Sequence, residues 1–130
     1  MDLITVTREA GLEFTIRLRD HELTTDMSEA EGGRDAGLNP VELLGAALGG
    51  CLGIMVQKYC DEHGYSDGEV GVSLTMQLVE DPKRVAALVV DVELPEGIPE
   101  EARQELRDLV TQFPVPATLQ DPPEIEIDFV

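Results

Sequence analysis

A chain of 130 residues fits one domain with its own core, and 42% hydrophobic residues with no Trp leave aliphatic side chains to build it. The 27 acidic and 9 basic residues give a formal charge of −18, spread along the chain, and such a surface repels phosphate backbones and anionic lipid, which disfavours nucleic-acid and membrane-surface binding. Two cysteines do not make a disulfide scaffold, "MDLITVTREA" has no signal-peptide pattern, and the run Leu43 to Gln57 is shorter than the ~18–20 residues of a bilayer span. A cytoplasmic protein with free thiols is expected.

In chain order, apolar and polar residues alternate through "LITVTRE" and "LEFTIRL" around Ala10-Gly11, which predicts a β-hairpin with one buried face. A short strand at "HELTTD" follows, and "MSEAEGGRDAGLNP" loses periodicity and reads as a loop. Asn39-Pro40 predicts a helix start, because Asn caps free amides and Pro suits the first helical position. The helix should run to about Glu62 and stop at Gly64. From Leu43 to Val56 it is apolar or small on all sides, the pattern of a central, buried helix.

Two long strands, "GEVGVSLTMQLVE" and "RVAALVVDVEL", are expected to pair as a hairpin through Asp81-Pro82. A second helix is predicted over "IPEEARQELRDLVTQF", with Ala102, Leu106, Leu109, Val110 and Phe113 on one face. The prolines of "PVPATLQDPP" then break helix formation, and "EIEIDFV" alternates as a final strand. The order predicts an α+β fold and a single domain, residues 1–130.

Both cysteines fall on the first helix, Cys51 and Cys60, on opposite faces and about 13.5 Å apart along its axis. A disulfide needs Cα atoms within about 7 Å, so they are not a redox pair in the native fold. Cys60 continues the small-residue stripe Gly49, Gly53, Val56, where another helix can approach, and packing accounts for it. Cys51 shares its face with Leu44, Ala47, Leu48, Ile54 and Met55, and either packing or thiol chemistry fits it. Lying mid-helix, away from the helix dipole, it needs a basic residue to be activated, and Arg17, Arg19 and Arg34 are the candidates. Cys60 and His63 fall short of the four ligands of a structural zinc site, so no metal is expected. Loop "EGGRDAG" lacks phosphate-binding spacing, and Ser66 and Ser73 have no evident His and acid partners.

The segment "GLNPVELLGAALGGC" resembles the helix-start motif of the OsmC/Ohr family, the osmotically inducible and organic hydroperoxide resistance proteins, and "EGGRDAG" and "PVPATL" are similar to that family too. The resemblance implies an OsmC-like α+β fold in an intertwined homodimer, with two central helices between sheets to which both chains contribute. It also implies thiol-based reduction of organic hydroperoxides without a cofactor, with Cys51 at the attacking position and an Arg, held by an acid, lowering its pKa. Two positions depart from the pattern. The resolving cysteine is replaced by Phe113, and the acid expected at Val41 is displaced to Glu42, as in the Pro-x-Glu-Leu-Leu branch. The implied reading is a one-cysteine peroxidase using Cys51, Arg34 and Glu42, with a pocket of Leu48, Met55 and Phe113 and an external dithiol reductant. The alternative is a non-catalytic relative binding a small hydrophobic ligand at the dimer interface.

Overall fold

The first alternating stretches form strands β1 (Thr5–Ala10), β2 (Glu13–Leu18) and β3 (His21–Thr25), an antiparallel sheet in the order β1-β2-β3. The computed structural model describes residues 1–65 and 68–130, so Ser66 lies outside the described residues, and the chain forms two units, Met1–Leu44 and Gly45–Val130. Within the first unit β2 pairs Thr5↔Arg17 on one side and Phe14↔Thr25 on the other. The expected buried face is sparse: β1 is exposed throughout, and in β2 only Thr15 is buried, its hydroxyl donating to the Glu9 carboxylate at 2.7 Å.

The loop after β3 is organised by a buried carboxylate. Asp26 accepts the amides of Met27 (2.7 Å), Arg34 (3.1 Å) and Ala36 (3.2 Å), drawing the segment into a closed turn. Gly33 and Gly37 lie so close to the carbonyls of Met27 and Thr24 that a Cβ would collide with them. That close approach explains why the loop is glycine-rich.

Helix α1 (Pro40–Glu62) starts and stops where the sequence predicts. At its start the Glu42 amide donates to Asn39 Oδ1 at 2.8 Å and the Asn39 amide to Glu42 Oε1 at 2.9 Å, a reciprocal capping box. At its end Gly64 takes a left-handed φ of 75°, the Tyr65 amide donates to Cys60 O at 2.7 Å and the Gly64 amide to Asp61 O at 3.4 Å, which satisfies two of the last carbonyls.

In the second unit β4 (Gly71–Val79) and β5 (Arg84–Glu93) form the long hairpin, pairing Gly71↔Glu93 through Val79↔Arg84. The glycine stripe of α1, expected to receive another helix, seats on this hairpin instead. A Cβ at Gly45 would stand 3.0 Å from Met76 Sδ, one at Gly49 3.3 Å from Leu74, and one at Gly53 3.6 Å from Val72. The reason is metric: four residues of helix advance about 6 Å and two residues of strand about 6.7 Å, so each glycine meets the next inward side chain of β4. By length and hydropathy α1 is long enough to cross a bilayer; its glycine face seats on β4, and Leu48, Leu52, Val56, Tyr59 and Cys60 enter the core. The expected burial on all sides is not met, because Leu44, Ala47, Gly50 and Ile54 are exposed.

Helix α2 (Glu100–Leu109) continues as a 3-10 turn, Val110–Gln112, and buries Ala102 and Leu106 as expected. Two expectations fail beyond it. Residues Pro114–Gln120 form helix α3 instead of a break, because Pro114 and Pro116 lie in the first turn, where amides have no intrahelical acceptor to lose. The predicted final strand, Glu124–Val130, pairs with no strand among the described residues and is fully exposed, with Ile125, Ile127 and Phe129 open to solvent. Alternation creates the capacity to pair, but a strand exists only where an edge is offered.

Candidate functional site

The core of the second unit positions the two thiols differently. Leu48, Leu52, Val56, Tyr59 and Cys60 of α1 pack with Ile98, Ala102, Leu106 and Phe113. Cys60 belongs to this core at 0% exposure, and burial, with a smaller contribution from Asp61, pushes its thiol up from the ordinary value. Cys51 is half-buried and packs against the rim of the same core, as does Met55. Around the helix Cys51 sits between the buried row Leu48, Leu52 and an open apolar row of Ala47, Gly50 and Ile54, the last 66% exposed. It is thus the thiol with a route to solvent or to a partner surface.

The helix end beyond Cys60 forms its own cluster. Tyr59 is buried and its hydroxyl donates to Glu105 at 3.0 Å; burial, then this carboxylate, raises the phenol's pKa. The His63 ring stacks on Tyr59 at 4.0 Å, and its Nδ1 lies 2.8 Å from Tyr59 O.

The remaining predicted residues belong to the first unit. Arg34 is 68% exposed and its guanidinium donates to Glu13 at 2.9 Å. Arg17 pairs with Glu22 at 2.9 Å and Glu9 at 3.4 Å, and Arg19 with Asp2 at 3.4 Å. Every candidate arginine is therefore engaged by a carboxylate of its own unit. Glu42 serves the capping box, a role legible in the Asn-x-x-Glu spacing but not drawn from it. Asp26 was missed altogether. Burial alone would raise its pKa, but three amides and the Arg34 charge outweigh it and hold the carboxyl below the ordinary value. Its sequence signal was an Asp at a strand end before a glycine-rich loop, a position suited to capturing backbone amides.

A family model described as OsmC-like protein matches residues 32–128. No curated protein is significantly similar in sequence. Among solved structures, one from Psychrobacter arcticus 273-4, named for osmotic stress induction and detoxification response, is 17% identical, covering 91% of this chain and 88% of its own, at a TM-score of 0.82. The OsmC-like protein of Mycoplasma pneumoniae is 16% identical over 94% of this chain and 89% of its own, at 0.79. A Vibrio cholerae protein called an organic hydroperoxide resistance protein, with captopril bound in one of its active sites, is 15% identical over 92% and 84%, at 0.64. At these identities the likeness concerns the fold.

Proposed function

This chain belongs to the OsmC-like protein family, and on that premise we propose that Cys51 is the attacking thiol of a one-cysteine peroxidase acting on organic hydroperoxides. The observation that carries the reading is the unequal setting of the thiols: Cys51 is half-buried at the rim of an apolar core, whereas Cys60 is sealed inside it on the same unbroken helix. The Cys51 thiolate attacks the outer peroxide oxygen, the O–O bond breaks, and the alkoxide leaves and takes up a proton as the alcohol. The sulfur becomes a sulfenic acid. With Phe113 in the resolving position, an external thiol condenses with it, releasing water, and a second thiol equivalent restores Cys51 and leaves as the disulfide. A dithiol supplies both equivalents.

Leu48, Met55 and Phe113 form the apolar wall that favours an alkyl or aryl peroxide over hydrogen peroxide. Arg34 is the proposed activator, and its exposed tie to Glu13 is of the kind worth at most about 1 kcal/mol, cheap to exchange for a thiolate. Glu42 helps by fixing the first turn of α1. A homodimer in the cytoplasm completes the reading, with the open row of α1 beside Cys51 as its interface.

The test is steady-state consumption of cumene hydroperoxide with dithiothreitol, comparing the wild type with Cys51→Ser. Loss of turnover in the variant is expected. Equal rates would remove Cys51 from the mechanism and favour the ligand-binding alternative.

A further inference from the structure

A concavity between β5 and α2 is not lined by Cys51, and nothing in the peroxidase reading uses it. It is an open cleft of about 380 Å³ whose apolar wall comprises Val56, Val90, Val92, Leu106 and Val110. That volume lies in the range of small-molecule sites. Arg103 and Arg107, one helical turn apart, line it from α2, and Asp91 is its acid. In a chain with 27 acids and 9 bases, two arginines on one apolar cleft run against the composition. They are not equivalent. Arg107 is largely exposed and shares its charge with Glu100 at 3.5 Å, whereas Arg103 is half-buried and has no ion pair or side-chain hydrogen bond among the described residues. Although Asp91 lines the same cleft, it forms no ion pair with Arg103, so this half-buried guanidinium has its donors available to a ligand.

We propose that this cleft binds the anion of a medium-chain fatty acid, its carboxylate on Arg103 and its alkyl chain along Val90, Val92 and Leu106. Charge selects the class. Asp91 and the overall −18 repel a phosphate dianion or a polyanion, while a monoanion is held by one planar guanidinium, with affinity supplied by burial of its tail. The proposal goes beyond the Cys51 reading and stands on different residues.

Titrating the full chain, labelled at Val and Leu methyls, with decanoate below its micelle concentration locates the site by NMR. Saturable shifts centred on Val90, Val92, Leu106 and Val110 are expected. Shifts centred on Leu48 would place the acid at the Cys51 pocket and overturn the proposal, as would the lack of saturation. By calorimetry Arg103→Gln should weaken decanoate about tenfold, the scale of one charged hydrogen bond, and leave decanol unchanged. Undiminished decanoate binding in that variant would reduce Arg103 to a packing residue and refute the carboxylate contact. The wild-type methyl map needs no variant to fold, and neither measurement depends on peroxide turnover.

Discussion

Cys60 and Cys51 share one helix yet present opposite chemistry, because the 100° step between residues puts one in the core and the other at its rim. A chromogenic disulfide at neutral pH should therefore titrate one thiol quickly, lost in Cys51→Ser, and the second only after unfolding. Two fast thiols in the native protein would contradict the burial of Cys60. Replacing Cys60 by Ser buries a hydroxyl in an apolar core and should cost about 1–3 kcal/mol in urea unfolding. At the helix start, Glu42→Ala removes half of the capping box and should cost about 1 kcal/mol. A peroxidase rate unchanged by this substitution would confine Glu42 to capping. Asp26 makes a prediction in pH. Its folded pKa is depressed, so its contribution is present above the ordinary aspartate range and is lost as pH falls through the folded value. The Tm gap between wild type and Asp26→Asn should be open at neutral pH and close in acid, and a gap independent of pH would contradict the charge-based account.

Elements whose determinants are local were legible in the sequence, and those that depend on another surface were not. The capped ends of α1, the hairpin β4–β5 and the apolar face of α2 all follow from periodicity and terminal residues. Helix α3 is not legible from proline content, because proline breaks a helix interior but suits the first turn, where Pro114 and Pro116 lie. The glycine stripe was recognised but given the wrong partner, since close approach is readable from small residues while the approaching element is not. Likewise, at the candidate site the boundary position of Cys51 follows from its helix, but which arginine serves it does not, because Arg17, Arg19 and Arg34 arrive from a different unit. The seating separates Gly45, which faces β4, from Gly50, about 140° around the helix. Gly45→Val crowds Met76 and Leu74 and should destabilise by about 1–3 kcal/mol. Nothing stands within 4 Å of a Cβ at Gly50, so in a dissociated chain Gly50→Ala should stabilise by up to about 1 kcal/mol. Equal effects at the two sites would mean that α1 does not sit on β4 as described.

Among the described residues two apolar features lack cover, the row Ala47, Gly50, Ile54 on α1 and the alternating tail Glu124–Val130, and the mixed strand β1, which carries Arg8 and Glu9 beside Val6, is exposed along its length. Isolated exposed apolar residues are ordinary, but a fully exposed strand sequence and an apolar helix row in one 130-residue chain are surfaces suited to the homodimer proposed above. The charge of −18 opposes association through repulsion, so the apolar surfaces must prevail at short range and salt must help them. Raising ionic strength from about 0.1 M to about 1 M shortens the screening length from roughly 10 Å to roughly 3 Å. Light scattering should then give twice the 14.2 kDa chain mass, at lower protein concentration as KCl increases. Ile54→Asp places a charge in the middle of the open row and should shift the protein to monomer, and deletion of residues 124–130 should weaken the dimer by removing an alternating segment that pairs with no strand among the described residues. If Ile54→Asp remains dimeric, the row beside Cys51 is not the interface, and the peroxide site is completed either through another surface of the partner or by one chain alone. A monomer that still turns over cumene hydroperoxide would establish that second case directly, since no partner surface could then be shielding the sulfenic acid.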